Sequence, residues 1–204
     1  MKITVITAVY NSEATVAEAI ASVAAQTYPN VEHLIIEGKS KDGSLAAIEA
    51  ASHDRMILVS EPDKGIYDAL NKGILRATGD VIAFLHSDDF LAHADVLARI
   101  AAEFADPAVE AVFSDLDYVS QADTSRIVRR LATGPFAPER LKRGWMPAHP
   151  TLHLRRSVYD TAHLRQRPSS RWTKGRSWTN FQLGPHKWGC SASEPSTTSY
   201  QILT

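Results

Sequence analysis

His86-Ser87-Asp88-Asp89 sets two carboxylates side by side, directly behind the apolar run Val81–Leu85. Adjacent carboxylates at the mouth of a sheet repel one another and lose hydration unless something positive sits with them. A hard divalent cation, Mg²⁺ or Mn²⁺, is the natural partner, because it prefers oxygen ligands and bridges to phosphates. The competing reading is local: Asp88 or Asp89 caps the helix that follows.

Three further runs carry polar groups at the ends of apolar segments. Glu61-Pro62-Asp63-Lys64-Gly65 forms a turn that opens a helix bearing Asp68 and Asn71 at i, i+3. That spacing puts both on one face near the helix start, directed back toward the strand ends. A helix N-terminus beside Lys64 is also suited to an anion. The alternative is a capped amphipathic helix whose polar side meets water. In Glu37-Gly38-Lys39-Ser40-Lys41-Asp42-Gly43-Ser44, Glu37 is placed to accept a hydrogen bond from a base N–H or a ribose hydroxyl, and Lys39 and Lys41 to meet phosphates. An Asp-Gly turn with Ser44 as a helix cap explains Asp42 to Ser44 equally well. Thr7-Ala8-Val9-Tyr10-Asn11-Ser12 offers Tyr10 for contact with a base, Asn11 to close the turn and Ser12 as an N-cap. It lacks the glycine pattern of dinucleotide folds, and no P-loop occurs in the chain.

The elements needed to position these runs are legible as alternation. Ile3–Val9, Val31–Glu37, Met56–Ser60, Val81–Leu85 and Ala111–Val119 read as strands. Ala14–Ala25, Ser44–Ser52, Gly65–Ala77 and about 94–104 read as helices, with Ile66, Leu70 and Ile74 on one face of the third. Near-continuous apolar strands alternating with helices indicate an α/β domain with a parallel sheet covered on both faces. Such sheets bind ligands beyond the C-terminal ends of their strands, which is where all four polar runs fall.

The 204 residues suffice for one domain with a full core, and a net charge of −1 gives no global basic surface for nucleic acid. Cys190 is the single cysteine, so no disulfide framework or cysteine-rich zinc site forms within one chain, and a reducing cytoplasm fits. The N-terminal apolar run is broken by Thr4 and Thr7 and reads as a buried strand, not a signal peptide. No stretch approaches the roughly 18 to 20 apolar residues of a membrane span. The composition changes near Asp160. Beyond it Glu194 is the lone acidic residue, Trp172, Trp178 and Trp188 cluster among Ser, Thr and Arg, and no helix or strand period is visible. The expected division is therefore a domain over 1–160 and an atypical basic tail over 161–204. The abrupt break implies a tail that is disordered or out of frame with the ancestral gene.

Taken in order, TAVYN (Thr7–Asn11), QTYPNVEHLIIEG (Gln26–Gly38), SKDGS (Ser40–Ser44), SEPDKGIYDALNKGI (Ser60–Ile74), ATGDVIAFLHSDD (Ala77–Asp89) and GWMPAHPTLHLRRSVY (Gly144–Tyr159) resemble family-two glycosyltransferases of the GT-A fold. The resemblance covers residues 1 to about 160 and lies nearest to enzymes of bacterial exopolysaccharide or lipopolysaccharide synthesis, such as colanic-acid-type pathways. It implies a Rossmann-like sheet flanked by helices that binds a nucleotide-diphosphate sugar. Thr7, Tyr10 and Glu37 would line the base and ribose. Asp63, Lys64, Asp68 and Asn71 would border base and phosphates, and Asp88 with Asp89 would hold the metal. Trp145 and His149 would approach a saccharide or lipid-linked saccharide acceptor. His86 stands where the family usually has Asp or Asn, and Lys39 where it usually has a small residue. The implied setting is cytoplasmic, with peripheral contact at the inner membrane face.

The implied reaction is a single displacement that inverts the anomeric centre, with a carboxylate base taking the acceptor proton. The family's base falls past the strand matching Thr151–Tyr159, and here 164–180 contains no Asp or Glu. An active transferase and a non-catalytic nucleotide-sugar-binding remnant are thus both open. A sugar-phosphate nucleotidyltransferase needs a Gly-rich basic loop that Thr7–Ser12 does not provide. A receiver-type signalling domain carries its carboxylates after the first strand, whereas these follow a later one.

Overall fold

The computed structural model describes residues 1–134, 136–137, 139–140, 143–161 and 199–203. Strands β1 (Ile3–Val9), β2 (Val31–Glu37), β3 (Met56–Ser60) and β4 (Val81–Phe84) form the parallel part of a six-stranded sheet, order β3-β2-β1-β4-β9-β6. Every residue of β1, β2 and β4 is buried. Central parallel strands are covered on both faces, so their sequences are apolar almost throughout. The alternation still sorts them: Ile3 and Val5 pack into one core cluster, Ile6 and Ala8 into another. Each enclosed aliphatic side chain contributes about 1.5–3 kcal/mol. With Ile3, Ile6, Leu34, Ile35, Ile36 and Ile82 all fully buried, these strands fix the positions of the polar loops at their ends.

Helices cover both faces, as expected. On α1 (Val16–Ala24), Val16, Ala19, Ile20 and Val23 form one buried stripe. Next come α2 (Ser44–Ala50), α3 (Ile66–Arg76) and α4 (Val96–Glu103). The α3 stripe differs from the periodic reading: Ala69, Leu70 and Gly73 are buried, while Ile66 is 48% exposed. A Cβ on Gly73 would meet Ile6 Cγ2 at 2.5 Å, so it is the glycine that lets α3 settle against β1. The rotated face follows from that closest approach.

Several expectations are corrected. The run 111–119 is not one strand. β6 (Ala111–Val112) belongs to the main sheet and β7 (Asp115–Ser120) to a second, four-stranded sheet of order β5-β10-β7-β8. The chain leaves the first sheet at Phe113-Ser114, where the Ser114 carbonyl accepts from Thr133 Oγ1 (2.7 Å) and Thr151 Oγ1 (2.9 Å). The main sheet is also mixed: β9 (His153–Arg155) runs antiparallel to both β4 and β6, followed by the short helix α5 (Arg156–Thr161). β5 (Asp89–Leu91) and β8 (Asp123–Leu131) complete the second sheet with β10 (Ser199–Leu203), which pairs with β5 and β7. The stretch past residue 160 showed no period, yet Ser199–Leu203 is a strand, because two waiting edges supply pairing that a five-residue run cannot reveal by itself. Among the described residues no helix is long and apolar enough to cross a membrane.

Candidate functional site

The C-terminal ends of β1, β2 and β3 are level, with Val9 opposite Glu37 and Glu37 opposite Ser60. Their loops are tied together by side chains. Asn11, at φ 53, accepts from the Lys41 N–H at 2.9 Å, and its own N–H donates to Ser40 Oγ at 2.9 Å. Asparagine tolerates that left-handed conformation better than most residues. Lys39, at φ 61, makes the same turn in the facing loop. Ser12 does not cap α1 with its hydroxyl. Its N–H donates to Ser44 Oγ (2.7 Å), and its Oγ meets Ser87 Oγ (2.8 Å), so this one residue joins three strand-end loops. Asp42 Oδ1 accepts from the Ser44 N–H and hydroxyl, which is the Asp-Gly turn of the local reading, with Gly43 in the N-cap position of α2.

Glu37 is 1% exposed. Burial alone would raise its pKa, but hydrogen bonds from the Ser40 N–H and the Ser60 hydroxyl outweigh that and hold it below the usual carboxylate range. Its carboxylate is thus committed to the loop it was expected to project from. Thr7 is 0% exposed, with Oγ1 3.1 Å from His33 Nε2. It supports the wall of the site and does not line it, because β1 is covered on both faces. Tyr10, 54% exposed, and Asp63 converge on Gly38, where an added Cβ would collide with the Asp63 carboxylate and lie 3.4 Å from Tyr10 Cδ2. Sequence reasoning gave Gly38 no role of its own, and its position right after a strand was the available signal. Asp63 Oδ1 accepts from the Gly65 N–H at 2.7 Å, and Gly65 itself stands at φ 119. Asp68 Oδ2 accepts from the Lys64 N–H (3.0 Å) and pairs with Lys72 (3.3 Å). Both carboxylates are thus tied to the turn before α3, whose N-cap Gly65 makes no side-chain cap hydrogen bond. Lys64 is exposed and Asn71 half-buried on the same helix start.

The acidic pair lies across Ser12 from this group. Neither carboxylate caps α4, which begins at Val96 with Asp95 before it; Asp88 sits in a turn and Asp89 opens β5. Asp88 is exposed and, with Asn11, Ser12, Glu13, Thr15, Asp42 and Ser87, lines an open cleft of about 450 Å³. Asp89 is 2% exposed, and its Oδ2 is buried without a hydrogen-bond partner. Burial, aided by the charge of Asp88, pushes its carboxyl up to about 8. A cation in contact with this pair would relieve both the repulsion and the orphaned oxygen. Among the described residues no three His, Cys, Asp or Glu converge as a metal cage. Two carboxylates fit a hard cation that takes its remaining ligands from water and phosphate.

On the other flank His86 Nε2 and His149 Nε2 are 2.7 Å apart. Burial lowers the His86 pKa, opposed by Asp88, and burial with the neighbouring His86 brings His149 to about 4. The contact joins the acidic turn to the 3-10 turn His149–Thr151 and so to Trp145. Trp145 packs against Phe113 at 5.8 Å between ring centroids and lies under the Arg140 guanidinium at 4.3 Å. The expected base region, 164–180, lies outside the described residues.

Residues 4–168 match the family described as Glycosyl transferase family 2. Over 98 residues the chain is 39% identical to an uncharacterized glycosyltransferase of Mycobacterium tuberculosis, a match covering 48% of this chain and 37% of that protein. Over 84 residues it is 43% identical to a PGL/p-HBAD biosynthesis glycosyltransferase of Mycobacterium bovis, covering 40% and 33%. These matches span less than half the length of the curated relatives. A mannosyltransferase from Pyrobaculum calidifontis, solved with GDP-Man and Mn²⁺, superposes with a TM-score of 0.58 at 23% identity, covering 78% of this chain and 46% of that one. TarS of S. aureus with UDP-GlcNAc gives 0.61 at 20% identity, covering 79% and 47%. At these identities the likeness is one of fold.

Proposed function

The chain belongs to glycosyltransferase family 2, and from that premise we propose that it binds a nucleotide-diphosphate sugar across the ends of β1, β2, β3 and β4 and passes the sugar to an acceptor hydroxyl. The acidic pair carries this reading: Asp89 is buried with an unpartnered oxygen, and Asp88 next to it lines a cleft between strand-end loops. Tyr10 and Asp63 flank the base, and Lys64, Asp68 and Asn71 border the ribose and phosphates. Asp88 and Asp89 would hold Mg²⁺ or Mn²⁺, whose charge would offset that developing on the departing diphosphate. Related folds solved with GDP-Man and Mn²⁺ or with UDP-GlcNAc support this choice of donor and metal.

In the proposed reaction the anomeric carbon gains a bond to the acceptor oxygen as its bond to the diphosphate oxygen breaks, and the centre inverts. The acceptor proton goes to a base. Trp145 and His149 form the acceptor side, joined to the acidic turn through His86. The acceptor is a saccharide or lipid-linked saccharide of cell-surface glycan synthesis, met at the inner membrane face. A second reading rests on one observation: Glu194 is the lone acidic residue beyond Asp160. On that reading the chain binds donor but turns it over slowly, since loss of a general base costs about 10²- to 10⁴-fold in rate.

Calorimetry with UDP and GDP, with and without Mn²⁺, tests the donor site. Binding is expected to require Mn²⁺ and to weaken at least about tenfold in Asp88→Asn with Asp89→Asn. Equal binding by the double variant would remove the metal role.

A further inference from the structure

From the second sheet we infer that the β7–β8 hairpin is a docking surface for anionic phospholipid. β8 is the edge strand of that sheet, and Arg126, Ile127, Val128, Arg129 and Arg130 are all exposed along it. Ile127 is 44% and Val128 58% exposed, and the register shift that sets Arg129 opposite Tyr118 and Ile127 opposite Val119 leaves Val128 as the extra residue of a bulge, which breaks the alternation that would send these two neighbours to opposite faces. Between residues 121 and 145 the sequence holds six basic and two acidic residues, an excess of +4 in a chain whose net charge is −1. Positive charge is therefore in excess in this segment, as it is in 161–204, while residues 1–120 are acidic.

The arginines are not equivalent. Arg130 makes two hydrogen bonds to the buried Asp117 carboxylate, at 2.8 and 2.9 Å, and so anchors β8 to β7. Arg129 lies over the Tyr118 ring at 5.7 Å, and Arg126 stands further toward the hairpin tip. Arginines on an edge strand also deter pairing with a second copy, but edge protection does not account for two adjacent aliphatic side chains in water. Basic residues beside exposed aliphatics match a surface with anionic headgroups over hydrocarbon. A soluble polyanion would use the charge and leave Ile127 and Val128 without a partner. β8 leads by way of Thr133, whose carbonyl accepts from Arg140, to Trp145 on the acceptor side. The inference rests on the transferase reading only where it links this surface to a lipid-linked acceptor.

The test is co-sedimentation of the full chain with vesicles of phosphatidylcholine alone and of an equal mixture with phosphatidylglycerol. Mn²⁺-dependent UDP binding is measured in parallel, so that failure of vesicle binding and failure of the donor site are separately visible. Binding is expected to the mixed vesicles alone. Arg126→Glu with Arg129→Glu should weaken it at least about 25-fold, near fivefold for each charge removed. Ile127→Thr with Val128→Thr keeps the β-branched shape and should weaken it about tenfold by removing apolar burial. If the charge-reversed variant misfolds by circular dichroism, wild type in high salt replaces it, and screening should release the protein. Equal binding to both vesicles, or arginine and threonine variants that bind as wild type, would overturn the proposal. So would dextran sulfate binding of equal strength that ignores the threonine pair, or a dimer in solution that the threonine pair dissolves.

Discussion

Gly38 is the residue on which the packing of Tyr10 and Asp63 at the end of β2 turns. Nothing but a hydrogen fits between β2 and the Asp63 carboxylate. Gly38→Ala should displace Asp63 and weaken nucleotide binding about tenfold, while the overpacking costs about 1–3 kcal/mol of stability at most. Calorimetry and thermal melts separate the two effects, and Gly38→Ala combined with Asp63→Ala should recover most of the stability. Unchanged affinity in Gly38→Ala would show that Asp63 does not touch the donor. The residues named from sequence divide by burial. Tyr10, Lys64 and Asp88 are open to solvent, whereas Thr7 and Glu37 are enclosed, Thr7 against His33 of β2 and Glu37 within the loop it precedes.

At the scale of the element, the central strands carry ionisable groups that make the fold acid-sensitive. His33 on β2 and His153 on β9 are fully buried, and burial holds both near 3, with the charges of His53 and Arg55 also acting on His33. Their folded pKa values lie below the unfolded value near 6.5, so the unfolded chain binds more protons between about 3 and 6.5. Their contribution is complete above that window and is lost as pH falls through it. Glu32 adds a second window. Burial would raise its pKa, but Lys2, Thr78 and Thr4 bring it to about 2, so its contribution is lost as pH falls from 4.5 toward 2. Urea melts are expected to show stability declining from pH 7 to 5, less steeply in His33→Gln. A flat profile over that range would mean that His33 is not held neutral.

At the scale of the whole molecule, the two sheets are joined by short strands. β5, which begins at Asp89, is paired with β10, and β10 lies against β7. Ending the chain before Ser199 would bare the facing edges of β5 and β7, which are templates for intermolecular pairing. The truncated protein should self-associate in light scattering and lose metal-dependent UDP binding. A monomer with normal affinity would show that β10 is dispensable. The break in composition near residue 160 keeps its proposed origin in a frame change. Reading the gene in the other frames through codons 160 to 198 is expected to reveal an acidic, amphipathic continuation, with Asp codons across Trp172-Thr173 and Trp178-Thr179.

β1, β2 and β3 could be read from sequence to the residue, because strands of a parallel sheet are mostly apolar and β-branched and are bounded by polar turns. The same rule put the polar runs at the strand ends, where Tyr10, Asp63 and Asp88 stand. The division at Phe113-Ser114 could not be read, since no glycine or proline marks it and two threonines distant in sequence hold the crossing. The strands β5, β9 and β10 are three to five residues long, too short for a period, and exist because edges from elsewhere in the chain accept them. His86 meets His149, and Ser12 meets Ser87, across 63 and 75 residues of sequence. Residue types and local periods determine which groups are available and which ends of the sheet they occupy. Long-range pairing alone decides which of them touch, because a contact between distant segments leaves no local pattern in either one.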